Sequence, residues 1–100
     1  MDVQAQFDQA MQDVYVNALK YCNYKATYFF QMLNERGSLA TARYLITTDT
    51  PSDGFTKLWE CGRLDLTVEA TVLDPDFESL FTEEERELAR ERLRQYGYNI

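Results

Sequence analysis

Apolar side chains recur at Val3, Phe7, Ala10, Met11, Val14, Ala18 and Leu19, with Gln4, Gln6, Gln9, Gln12 and Asp13 between them. That spacing is one face of a helix with a polar back. The stripe continues through Cys22, Ala26, Phe29 and Leu33 toward Gly37, but one unbroken helix of that reach is awkward in so short a chain. A break is therefore expected near residues 21–24, with Asn23 capping a second helix over about 24–35. Gly37 then suits the left-handed position after that helix, and Ser38 the N-cap of a third, whose stripe is Leu39, Ala42, Leu45 and Ile46.

Threonines and a proline make residues 47–52 the least regular stretch and the expected loop. Ser52 is placed to cap a short fourth helix carrying Phe55, Leu58 and Trp59, closed by Gly62. Asp65 offers a cap for the next segment. Leu66, Val68, Ala70, Val72 and Leu73 also alternate as a strand would, but no second convincing strand exists to pair with them, so helix is preferred. Asp74-Pro75 reads as an N-cap followed by proline at the first helical position, opening a short turn with Phe77 and Leu80. Thr82 and Glu85 match a capping box. The last helix runs to about Tyr96, burying Leu88, Ala89, Leu93 and Tyr96. The expected fold is all-α: a single orthogonal domain over residues 1–100, made of six or seven mostly short helices.

The composition supports a folded chain, since 45% of its 100 residues are apolar and 14% aromatic. Net charge −7 disfavours direct binding to nucleic acid or to an anionic membrane surface. With no histidine, imidazole bases, Ser-His-Asp sites and His-containing zinc sites are excluded. Cys22 and Cys61, in a chain whose start reads as no secretory leader, are expected to be reduced thiols acting as packing residues. The cytoplasm is the expected location. No stretch is apolar enough for a membrane helix.

The run from Gly54 through Phe55, Leu58, Trp59, Gly62, Arg63, Leu64, Asp65, Leu66, Thr67 and Glu69 resembles a G-F-x-x-L-W-x-x-G-R-L-D-L-T-x-E signature of small bacterial proteins of unassigned function. Residues 37–45 and 77–93 fit the same pattern. The resemblance implies a bacterial protein with a helical fold and assigns no residue a role.

Several side-chain groups carry candidate chemistry. Arg63, Asp65 and Glu69 form a polar cluster, read as a structural cap with an ion pair; a hydrolase using the Asp65 and Glu69 carboxylates is one alternative. Asp74, Asp76 and Glu78 alternate like the opening of a calcium loop but lack its glycine and later ligands, so no metal or other cofactor is expected. Tyr21, Tyr24 and Tyr28 lie in a dense aromatic run of the kind protein interfaces use for rigid anchoring. Eight acids and no base lie between Asp65 and Glu85. Of these, Asp76, Glu78, Glu83 and Glu84 are the candidates for an acidic face that imitates phosphates in a partner's basic groove. The function expected is a non-enzymatic protein-binding module, whose partner is another protein or, in a homodimer, a second copy of the chain. The other alternative is a helix-turn-helix-like nucleic-acid binder using Arg36, Arg43, Lys57 and Arg63.

Overall fold

The stripe that begins at Val3 folds as a single helix, α1 (Val3–Cys22), in a computed structural model that describes residues 2–100. It is followed by α2 (Thr27–Arg36), α3 (Ser38–Thr47), α4 (Asp53–Glu60), α5 (Val68–Val72) and α6 (Glu83–Gln95). Two 3-10 turns, Leu64–Leu66 and Pro75–Leu80, flank α5. Among the described residues there is no strand, so residues 66–73 take the helical alternative. At 1.5 Å per residue α1 is about 30 Å long. That length is close to the molecule's longest extent, 32 Å.

Phe7, Met11, Val14 and Ala18 are the buried face of α1. Phe7 meets Phe77 and Phe81 edge-on, with ring centroids 5.1 and 5.3 Å away, an arrangement that aromatic quadrupoles favour. Met32 from α2, Ala42, Leu45 and Ile46 from α3, Val68 and Val72 from α5, and Ala89 from α6 complete this core. A smaller cluster of Phe55, Leu64 and Leu93 packs with Tyr96 and Tyr98. Trp59 closes its edge, donating from Nε1 to the Tyr96 carbonyl at 3.1 Å while half its surface stays in water. Leu88, expected inside, is 42% exposed; the buried stripe of α6 runs through Ala89 and Leu93, one residue further round the helix.

The ends of the helices show which local signals prevailed. Asn23 terminates α1 in the left-handed conformation, at φ 51, and does not cap α2. A short polar side chain tolerates that conformation almost as glycine does. Gly37 alone joins α2 to α3 at φ 84: its N–H donates to the Leu33 carbonyl at 3.0 Å, and its own carbonyl accepts from the Thr41 N–H at 3.1 Å. Ser38 is thus the first residue of α3 and not its cap. Ser52 caps α4 as expected, accepting from the Phe55 N–H. Thr67, not Asp65, caps α5, accepting from the Ala70 N–H at 3.2 Å. Asp74 accepts from the Asp76 N–H, with Pro75 first in its turn. Thr82 and Glu85 form the reciprocal capping box at 3.1 and 2.9 Å.

The cysteines differ from expectation. Cys22, the last residue of α1, and Cys61, which ends α4, are joined as a disulfide across 39 residues of sequence. The packing of α4 against α1 brings their Cα atoms to 5.9 Å, within the span a disulfide bridges. No helix among the described residues is long and apolar enough to cross a membrane.

Thr41 is fully buried on α3, and its hydroxyl has no hydrogen-bond partner among the described residues. A buried hydroxyl left without a partner costs about 1–3 kcal/mol. Thr41→Val, which keeps the branched shape and removes the hydroxyl, is expected to raise stability by about 1 kcal/mol in urea unfolding; equal or lower stability would show that the hydroxyl is satisfied in solution.

Candidate functional site

A cavity of about 320 Å³ opens between the second half of α1, the chain leading into α2, the end of α3, the loop of residues 48–52, and the starts of α4 and α5. The left-handed Asn23 turns the chain so that Tyr24 lies beside Gly54, where an added methyl group would meet the tyrosine ring at 3.8 Å. Tyr28 and Phe29 follow on α2, Tyr44 and Leu45 come from α3, and Phe55 and Leu58 from α4. Val14, Ala18 and Val68 supply the apolar back wall. The volume falls in the range of small-ligand sites, which are mostly apolar with a few placed polar groups.

Among the described residues that line the cavity, two are acidic and none is basic. Asp53 lies at the exposed rim and makes no ion pair among the described residues. Burial chiefly, and the nearby Asp53 charge in addition, push the Tyr24 hydroxyl above its ordinary pKa. Glu69 lines the inner wall and is almost wholly buried, its side chain 4% exposed.

The partner of Glu69 is Arg92 of α6, at 3.2 Å and only 11% exposed. The same guanidinium donates to the Leu45 carbonyl at 2.8 Å, to the Thr48 hydroxyl at 3.4 Å and to the Thr48 carbonyl. These acceptors sit where α3 ends, and helix-end carbonyls have no partner within their own helix. Arg92 therefore neutralises a buried carboxylate and at the same time holds the loop that forms one lip of the cavity. Burial raises the Glu69 carboxyl above its ordinary value, and this outweighs the lowering by its own backbone N–H and by Arg92.

The expected Arg63, Asp65 and Glu69 cluster is not assembled. Arg63 holds Asp65 through two contacts of 3.1 Å, and its hydrogen bonds draw the Asp65 carboxyl below its ordinary value. Glu69 is held by Arg92 instead and lines the larger cavity. Asp65 borders a separate groove with Asp13 and Asp74, so the two carboxylates a hydrolase would use open onto different depressions. Among the described residues, no three His, Cys, Asp or Glu side chains are grouped so as to hold a metal.

The tyrosines divide. Tyr24 and Tyr28 line the cavity, with Tyr28 standing 75% exposed at its mouth. Tyr21 lies outside it, at the end of α1, beneath the Arg63 guanidinium at 4.8 Å and the Lys20 ammonium at 5.2 Å. Of the four bases considered for nucleic-acid contact, three are engaged by the chain itself. Arg36 stacks on Tyr44 at 4.7 Å, Arg43 pairs with Glu85 at 2.9 Å, and Arg63 pairs with Asp65. Lys57 is exposed.

The acidic stretch is thinner than its sequence implies. Asp65, Glu69 and Glu85 are held by Arg63, Arg92 and Arg43, and Glu83 by Arg86 and Arg90 at 3.4 Å each, while Asp74 is occupied as a cap. Asp76, Glu78 and Glu84 remain exposed with no ion pair among the described residues. On α6, Glu83 pairs with Arg86 and Glu87 with Arg90 at three-residue spacing, and Arg94 reaches back to Glu87 at 3.7 Å, which laces the surface of the helix with charge pairs.

Partial burial would raise the Glu85 carboxyl, but the Thr82 N–H and the Arg43 guanidinium outweigh it and hold Glu85 below its ordinary value of 4.5. A depressed carboxyl stabilises the fold above its unfolded pKa, and that contribution is lost as pH falls through the folded one. Glu69, raised, has the opposite sign: its contribution is present below its unfolded pKa and lost as pH rises through the folded one. Glu85→Gln keeps the capping hydrogen bond but not the charge. Its melting temperature is expected to lie below that of the parent near pH 7 and to converge with it near pH 3. A gap that does not narrow would show that the Glu85 charge does not stabilise the fold.

Comparisons with protein-family models, with curated proteins and with solved structures find no match to this chain.

Proposed function

We propose that the protein is a non-enzymatic module that binds another protein, taking one of its side chains into the cavity beside α2. The observation that carries this reading is the aromatic mouth: Tyr28 projects into water at the entrance to a largely apolar recess instead of covering the core. Exposed tyrosines next to a pocket are the usual anchors of protein interfaces, combining a large apolar area with few rotatable bonds. The unpaired Asp76, Glu78 and Glu84 add an acidic face that would speed encounter with a basic partner.

Direct nucleic-acid binding has less support, because Arg36, Arg43 and Arg63 are already engaged. As to location, a bonded Cys22–Cys61 pair suits an oxidising compartment. In the cytoplasm, the location expected from the sequence, the same cysteines would be kept as thiols.

The test uses the whole chain as bait after nuclease treatment of the extract, comparing the parent protein with a Tyr28→Ala, Tyr44→Ala double variant. A partner whose recovery falls about tenfold or more with the variant, at unchanged circular dichroism and melting temperature, is the expected result. Recovery that is equal with both baits would reject the cavity as the binding site. In association-rate measurements with that partner, amides at Asp76, Glu78 and Glu84 are expected to slow binding at low salt; unchanged rates would remove the steering role.

A further inference from the structure

We infer that the group this cavity accepts is an alkylammonium, the aliphatic stem and single positive charge at the end of a partner's lysine side chain. The inference rests on the reading of the cavity as the binding site, and it adds the chemistry of what enters.

Three observations point to one positive charge on an apolar stem. The first is the electrostatic balance of the walls. Glu69 and Asp53 are the two charged side chains lining the cavity, and Glu69 is already neutralised from behind by Arg92. That leaves one uncompensated carboxylate, Asp53, facing a recess with no basic lining residue. An anionic ligand would meet repulsion there, and a dication would leave one charge unpaired.

The second is the set of rings. Tyr24, Tyr28, Phe29 and Phe55 all line the cavity, and the faces of such rings attract a cation, most strongly when water is displaced. Tyr44 already carries a cation of this chain, the Arg36 guanidinium at 4.7 Å, an internal instance of the same attraction. Arg36 itself is not a lining residue. The third is the apolar inner wall of Val14, Ala18 and Val68, which favours methylene groups over a compact, fully hydrated ion.

The probes are n-butylammonium, which reproduces the end of a lysine side chain, and 1-butanol, of similar length and uncharged. Each is titrated into the 100-residue, disulfide-intact protein while backbone amide NMR signals of Thr48, Gly54 and Glu69 are followed. The expected result is saturable shifts at these residues with n-butylammonium, about tenfold weaker binding of 1-butanol, and loss of that preference in Asp53→Asn. This variant leaves the Ser52 cap of α4 in place, and its melting curve and spectrum establish that it is folded.

Equal binding of the two probes would overturn the ammonium assignment and leave the cavity as a site for apolar groups. If neither probe binds while Tyr28→Ala, Tyr44→Ala still loses its protein partner, the ammonium assignment falls and the protein-binding reading stands. If neither probe binds and the double variant keeps its partner, both fall. If ammonium preference survives in Asp53→Asn, the assigned counter-charge is wrong and the inference is rejected in this form.

Discussion

Arg92→Leu is expected to destabilise the fold by about 3–5 kcal/mol, because it strands the buried Glu69 carboxylate without its counter-charge. The same change leaves the Leu45 and Thr48 carbonyls, to which Arg92 donates, without that donor. Urea unfolding near pH 7 measures the loss. Two comparisons separate the pair from a general effect of losing an arginine. Arg90→Leu removes an arginine of the laced surface of α6, whose partners Glu87 and Glu83 are 42% and 72% exposed, and exposed pairs contribute about 0–1 kcal/mol. The double replacement Glu69→Leu, Arg92→Leu removes both charges, so it should recover much of what the single change loses. Equal loss in Arg92→Leu and Arg90→Leu would show that Glu69 finds water or takes up a proton at little cost.

Opening the Cys22–Cys61 bond is expected to have a comparable effect. A cross-link over 39 residues restricts the unfolded chain, and the loop-entropy relation gives about 3–4 kcal/mol for a loop of this length. The measurement is the urea midpoint of the parent protein with and without reductant, beside a Cys22→Ser, Cys61→Ser variant. Reductant should lower the parent's midpoint to near that of the variant and leave the variant unchanged. A parent that is indifferent to reductant would show that its cysteines are unpaired in solution. Since Tyr24 lies two residues beyond Cys22 and rests beside Gly54 of α4, the reduced protein is also the one in which to look for weaker binding at the cavity.

These two features were the least legible in the sequence, for different reasons. The capping box of Thr82 and Glu85, the Ser52 cap and the Asp74-Pro75 turn could be read directly because their partners lie within three residues. Asn23 was open to two readings, since the same side chain serves at either end of a helix. Asp65 was read as the cap of the next helix, but Arg63 engages it and Thr67, two residues on, caps α5. The disulfide depends on how α1 meets α4, which no local pattern records. Arg92 did leave a signal: Ala89, Arg92, Leu93 and Tyr96 follow the spacing of one helical face, which places a charge on the buried stripe and calls for a buried acid to meet it. Glu69, among Val68, Ala70 and Val72, carried the same signal from the other side.

Of the cavity, the tyrosines at its mouth were visible as an aromatic run, but its existence was not. Its walls come from five helices and two connecting segments, and their meeting is a property of tertiary packing. Asp53 had no distinguishing context in the sequence beyond following a capping serine.

The reach of Arg92 also bears on the order in which the chain can fold during synthesis. Its contacts run backward over 23 residues to Glu69, 44 to Thr48 and 47 to Leu45. A nascent chain emerging from its N-terminus can form α1, α2 and α3 early, yet the end of α3 and the loop after it stay without their donor until α6 has left the ribosome. Glu69 waits with them, as a carboxylate that has no counter-charge to be buried against. The lip of the cavity is therefore among the last parts of this fold to be fixed, although the residues that form it are made well before those of α6.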